Sequence, residues 1–211
     1  MTALWFRWNS KSCVLALAML AAPLSVAAAS ADTIKIVAIG TSNTYGRYVQ
    51  RGEDYPARLE AALKARGYDV RVINAGVNGD TVAAGLARLD SAVPPGTNIA
   101  IVEFGVNDRR NGVPPNVIQA GLDKIVDRLR QRKIEVMVAN YMDVSGGGLA
   151  RGTYYFPYDV SRFPMNLRIA EDPEHHLNAA GYELLVARMV PPVESLIKRV
   201  RENQREQERM R

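Results

Sequence analysis

An α/β fold, with a parallel sheet covered by helices on both faces, is predicted by three observations. Runs of five or six mostly apolar residues recur along the chain. Only isolated polar residues such as Lys35, Arg71, Asn74, Glu103 and Glu135 interrupt them, so both faces of each run are expected to be buried. Segments with helical spacing separate one run from the next. The chain has 211 residues, 47% hydrophobic and 23% charged, a composition and length that suit one domain.

The first predicted strand is residues 34–39. A helix follows over 55–66, with Pro56 in its first turn and Gly67 just past its end. Residues 70–75 are the second strand. Residues 81–89 form a short helix with Asp80 as its expected N-cap. The third strand covers 99–104 and is nearly all apolar. Pro114-Pro115 leads into a helix over 117–132, and residues 134–139 are the fourth strand. The last helix is expected over 178–190, interrupted by Pro191-Pro192 and resuming from 193 to about 209. Between the fourth strand and that helix, residues 141–171 read as a long loop. It carries Gly146-Gly147-Gly148 and a cluster of Tyr141, Tyr154, Tyr155, Phe156, Tyr158 and Phe163.

The N-terminal segment does not fit the alternation. Residues 1–12 carry Arg7 and Lys11 and no acid, residues 13–22 are apolar, and small residues follow Pro23. A basic start, a short apolar stretch and a small-residue end describe a secretory signal peptide over 1–31, with a domain over 32–211. The alternative is an uncleaved anchor, but the apolar run is short for a membrane span. Removing Arg7 and Lys11 leaves 27 − 2 = 25 basic residues against 22 acids, a net charge of +3. That is too mild to indicate nucleic acid. Much of the excess lies in the charged C-terminal helix expected over 192–211, whose cations suit a solvated helix end. The single cysteine, Cys13, falls within the expected leader, so the mature chain has neither a disulfide nor a thiol nucleophile.

Ligands of open parallel sheets bind beyond the carboxyl ends of the strands. Gly40-Thr41-Ser42-Asn43 follows the first strand, Asn78-Gly79-Asp80 the second, and Gly105-Val106-Asn107-Asp108 the third. The only two histidines, His175 and His176, precede the last helix, close to Asp172. A serine hydroxyl is a weak nucleophile. It needs a base, a group that orients the base, and donors for the developing oxyanion. The strand ends offer each part: Ser42 as nucleophile, a histidine as base and Asp172 as its partner. The N–H groups of Ser42 and Gly79 and the Asn107 amide are the oxyanion donors. Alone, each has a plainer reading. Ser42 and Gly79 are turn residues, and Asn107-Asp108 is a cap or turn signal. Asp172 with two adjacent histidines does not match a metal-ligand spacing, so no metal is expected, and no cofactor either. Arg109 and Arg110 are either solvated surface or contacts for an anionic substrate.

"GTSN", "NAGVNGDT", "FGVNDRR" and "DPEHHLNAAGY", in this order, resemble the four blocks of the SGNH (GDSL-like) hydrolases. The resemblance covers residues 34 to about 190. It implies a flavodoxin-like three-layer α/β/α sandwich whose short sheet has four or five strands, a stunted fifth being sought at residues 167–170. It also implies the roles given above for Ser42, Gly79, Asn107, Asp172 and a histidine. Two features depart from the family. Thr41 stands where an aspartate is usual, and Asn43 where a leucine is usual. In the last block Asp172 and His175 have the family spacing, whereas "HLNAAGY" aligns the base with His176. His176 is preferred because it directly precedes the helix, and His175 is the alternative. The expected activity is that of an exported, metal-independent serine esterase, periplasmic or extracellular. Its partner would be a small-molecule ester, thioester or acylated sugar, with no nucleic acid and no stable membrane span after leader cleavage. The alternatives are a polysaccharide O-acetyl esterase or acetyltransferase, and a catalytically decayed glycan- or protein-binding module.

Overall fold

The structure is a computed structural model that describes Met1 and residues 33–140 and 153–211. Residues 2–31 of the expected leader, with Cys13, and Tyr141 and Gly146-Gly147-Gly148 lie outside the described residues. Five strands, β1 (Ile34–Gly40), β2 (Val70–Gly76), β3 (Ile99–Glu103), β4 (Glu135–Asn140) and β5 (Tyr154–Pro157), form one sheet in the order β2-β1-β3-β4-β5. All neighbours are parallel, and Ile36 is in register with Val72 on one side and Ile99 on the other. This is the flavodoxin-like strand order, in which the chain reverses direction across the sheet between β1 and β3.

The two-residue period of the strands sorts their side chains into two apolar layers. Ile34, Ile36, Ala38, Ile99, Ile101 and Met137 face α2 (Tyr55–Ala65) and α7 (Ala179–Arg209). Val37, Ile39, Ala100, Val102, Val136 and Val138 face α3 (Val82–Ala87), α4 (Leu89–Ala92) and α6 (Pro115–Gln131). In α6, Ile118, Leu122, Ile125, Val126 and Leu129 are buried at the i, i+4, i+7 spacing of one helical face. Asp54 caps α2 by accepting from Ala57 N–H, and Asn178 caps α7 by accepting from Gly181 N–H. Two short helices fill the sequence-expected turns after β1 and β3: α1 (Ser42–Tyr45) and α5 (Val106–Arg110).

Four elements differ from expectation. The fifth strand is β5, inside the aromatic stretch read as loop, and it pairs with β4. The β-prone Tyr154, Tyr155 and Phe156 supply it, and Pro157 is tolerated because the strand is at the edge. At residues 167–170 there is no strand among the described residues: Leu167 ends a 3-10 turn (Met165–Leu167), and Arg168 makes an isolated antiparallel bridge with Leu177. Helix α7 runs unbroken through Pro191 and Pro192. Two N–H donors are lost there, but Met189, Val190, Pro192, Val193, Leu196 and Ile197 are all buried, and that packing carries the helix through. Finally, α3 is capped by Thr81, whose hydroxyl accepts from Ala84 N–H, because the Asp80 carboxylate is taken up by Arg88. No helix among the described residues is long and apolar enough to cross a membrane.

Candidate active site

Ser42 is the first residue of α1, separated from the end of β1 by Thr41 alone, and is 7% exposed. Its Oγ lies 2.8 Å from His176 Nε2, and His176 Nδ1 lies 2.8 Å from Asp172 Oδ2. The other Asp172 oxygen, Oδ1, is 2.7 Å from His175 Nδ1. One carboxylate therefore holds both imidazoles. A turn explains this: His175 and His176 N–H both donate to Asp172 C=O, which puts positions i+3 and i+4 on the same side as residue 172. The spacing ambiguity in the sequence reflects this shared acid. The two histidines differ in what lies beyond. His176 is 4% exposed and faces the serine, whereas 28% of the His175 side chain is exposed and it lines a neighbouring cleft.

The loop bearing these groups is pinned from below. Ile169 N–H donates to His176 C=O, and Asn178 N–H to Leu167 C=O. The Arg168 guanidinium donates to the carbonyls of Ser161, Phe163 and Pro173. Above His176, the Tyr48 ring meets the imidazole edge-on with centroids 5.1 Å apart, and Arg47 stacks on Tyr48. Tyr48 holds a left-handed φ of 71°, unusual for an aromatic residue.

Burial pushes the His176 pKa below its ordinary value of 6.5. Asp172 pulls it back only in part, and Arg47 and His175 add to the depression. His176 is thus neutral at pH 7, with Nδ1–H donating to Asp172 and Nε2 free to accept from the Ser42 hydroxyl. Burial raises the Asp172 pKa, but its bonds to His175 and His176 outweigh that and hold it below the usual range.

Hydrogen bonds gather the other strand ends around Ser42. Val77 N–H donates to Gly40 C=O at 3.0 Å, and Arg88 bridges Gly40 C=O and the Asp80 carboxylate. Asn107 Nδ2 donates to Asp80 C=O at 2.8 Å, and its second amide hydrogen has no acceptor among the described residues. Next to it, Asp108 accepts Val82 N–H through both oxygens at 3.1 Å. Gly79 sits at φ +75° with open space where a Cβ would be. Neither Ser42 N–H nor Gly79 N–H has an acceptor among the described residues. These are the donor types that an oxyanion requires.

Sequence reasoning missed Glu103, the last residue of β3, which is 5% exposed and lies beneath the serine loop. The signal was present as an acid ending the apolar run "IAIVE". It also missed Tyr48. A cleft of about 590 Å³ borders the relay at Asn43 and His175, with Tyr158, Val160, Arg109 and Arg110 among its walls. Ser42 itself does not line it. Among the described residues, no group of three or more His, Cys, Asp or Glu is arranged to hold a metal ion.

Comparison with known proteins adds the following. The model of the GDSL-like lipase/acylhydrolase family matches residues 38–168. An arylesterase of Vibrio mimicus is 33% identical over 114 residues, 54% of this chain and 57% of that protein. Esterase TesA of Pseudomonas aeruginosa is 32% identical over 111 residues, 52% of this chain and 54% of that protein. The chain thus spans about half the length of the curated relatives it matches. Among solved structures, the SGNH-hydrolase family esterase AlinE4 is 30% identical with a TM-score of 0.58, over 78% of this chain and 97% of that one. The crystal structure of TesA superposes with a TM-score of 0.69 at 24% identity, over 77% of this chain and 99% of that one, a likeness of fold.

Proposed function

The chain belongs to the GDSL-like lipase/acylhydrolase family, and from that premise we propose that it is a serine hydrolase cleaving carboxylic ester or thioester bonds through an acyl-enzyme on Ser42. The observation that carries this reading is the relay Ser42 Oγ–His176 Nε2, His176 Nδ1–Asp172.

In the first half-reaction Ser42 Oγ attacks the ester carbonyl carbon, and His176 Nε2 takes the hydroxyl proton. Asp172 holds the ring in the tautomer that accepts at Nε2, and stabilises the imidazolium that forms. The N–H groups of Ser42 and Gly79 and the free hydrogen of Asn107 receive the oxyanion. The tetrahedral intermediate collapses by breaking the bond to the leaving alkoxide or thiolate, which takes the proton from His176. Water then repeats the sequence. His176 removes its proton, the acyl carbon passes through a second oxyanion, and the acid leaves as Ser42 regains its hydrogen. No metal or cofactor takes part. Among the two histidines, burial and contact with Ser42 favour His176 as the base.

Small-molecule esters are the proposed substrates, a reading supported by the similarity to an arylesterase and an esterase. Residues 1–31 are proposed to act as a signal peptide, placing the mature enzyme in the periplasm or medium. The test is hydrolysis by the purified mature chain of p-nitrophenyl esters from acetyl to long-chain, with a thioester and an acetylated sugar. Activity on at least one, absent in Ser42→Ala, supports the reading. Undiminished activity in Ser42→Ala overturns it.

A further inference from the structure

A buried carboxylate without a cation is costly, so its hydrogen bonds show what holds it in place. Glu103 is such a group: among the described residues no arginine, lysine or histidine pairs with it. All its hydrogen bonds go to the two residues that flank Ser42-Asn43. Thr41 N–H donates to Oε2 at 3.0 Å, and the Thr41 hydroxyl reaches both oxygens at 3.1 and 3.0 Å. The Thr44 hydroxyl donates to Oε2 at 3.0 Å. Thr41 is the N-cap residue of α1, yet its side chain makes no capping bond, because its hydroxyl is turned down onto Glu103. Gly40 makes the approach possible: a Cβ there would lie 2.2 Å from Thr44 Oγ1 and 2.8 Å from Glu103 Oε2. Tyr158 and Tyr182 hold Asn43 through its side-chain and main-chain oxygens.

We propose that Glu103 is a positioning residue for the nucleophile: its carboxylate fixes Thr41 and Thr44, which keeps the Ser42 hydroxyl on His176 and the Ser42 N–H turned toward the oxyanion. This rests on the serine-hydrolase reading. It also accounts for Thr41: the negative charge that position lacks is supplied from the adjacent strand. Ionised Glu103 accepts from these threonine donors at once, and the Thr44 N–H adds to their pull. Protonated, it must donate one bond itself, so a threonine hydroxyl reverses and the loop loosens.

Burial raises the Glu103 pKa, and the bonds from Thr41 and Thr44 offset this only in part, leaving it at about 7. The titratable groups facing it are Tyr55 from α2, Tyr158 after β5 and Tyr182 from α7, with Asp54 behind Tyr55. Arg109 and Arg110 share the cleft with it. Loss of activity on acidification should therefore begin at the Glu103 ionisation, above that of His176.

The experiment is the pH dependence of kcat and KM on a short p-nitrophenyl ester for wild type, Glu103→Gln, Thr41→Val and Ser42→Ala, with thermal melts as the check on folding. The wild-type acid limb of kcat is expected near pH 7. Glu103→Gln should lower the kcat plateau by about tenfold or more with KM within about twofold. Its limb should move to the His176 value, below 6.5. Thr41→Val removes one donor to the carboxylate and should move the limb upward. If Glu103→Gln does not fold, the wild-type and Thr41→Val limbs decide. A wild-type limb already below 6.5, or a Glu103→Gln profile identical to wild type, overturns the proposal. Failure of the serine reading has a different signature, which is Ser42→Ala as active as wild type.

Discussion

His176 Nε2 sits 2.8 Å from Ser42 Oγ, although 134 positions separate the two residues in the chain. The sheet brings them together. Ser42 is held at the end of β1, and His176 arrives on a turn that ends where α7 begins. Asp172 binds both histidines, so the structure contains two carboxylate–imidazole pairs and only one with a serine beyond it.

The two histidines should therefore separate on mutation. His176→Ala is expected to lower kcat on the order of 10²–10⁴-fold, the usual contribution of a general acid–base. His175→Ala should stay within about tenfold of wild type, since His175 lacks the serine contact and acts through Asp172 and its charge near His176. Steady-state kinetics of the two variants on one ester measures this, and the reverse order would assign the base to His175.

Asn107→Ala tests the oxyanion donors. Loss of one such donor should cost about 10²–10³-fold in kcat with KM little changed. The same substitution removes the bond to Asp80 C=O, so urea unfolding should show a loss of about 1 kcal/mol. A stability loss with unchanged kcat would mark Asn107 as a loop brace alone.

The fold was largely legible because buried parallel strands and amphipathic helices write their periods into the sequence. Residues 34–39 and 99–104 could not be read otherwise. Strand β5 was hidden because four edge residues ending in proline carry too short a pattern, and because pairing with β4 decides their conformation. The continuity of α7 was hidden because local proline chemistry argued against it, while tertiary burial of Val190, Pro192 and Val193 decided it. In the site, the strand-end residues were legible by type. Glu103 and Tyr48 were not, since one looks like the tail of a strand and the other like a loop residue.

Stability should also depend on pH through Glu103. Its folded pKa, about 7, lies above its ordinary value of 4.5, so the folded state holds the proton more tightly. That contribution is fully present below pH 4.5 and is lost as pH rises through about 7. The depressed His176 pKa contributes with the opposite sign below pH 6.5, so the test is the difference between proteins. In denaturant unfolding between pH 4.5 and 7, wild-type stability should fall with pH relative to Glu103→Gln, with slopes differing by close to one proton. An unchanged slope would remove Glu103 as its source.

Tyr48 shields His176 from solvent while carrying left-handed strain of about 1–2 kcal/mol. Tyr48→Gly relieves the strain and uncovers the ring. Because burial is the main cause of the depressed His176 pKa, that pKa should rise toward 6.5 in the variant, as read from the imidazole proton shifts. An unmoved or lowered value would show that Tyr48 does not set the solvation of the base.

An activated Ser42 hydroxyl should react with an electrophile that other serines do not attack. Wild-type protein treated with a fluorophosphonate should gain one phosphonyl group, located on Ser42 by peptide mass analysis, and should lose its ester hydrolysis in step. Ser42→Ala should not label. Absence of labelling in folded wild-type protein, or equal labelling of Ser42→Ala, would contradict an activated serine at this position.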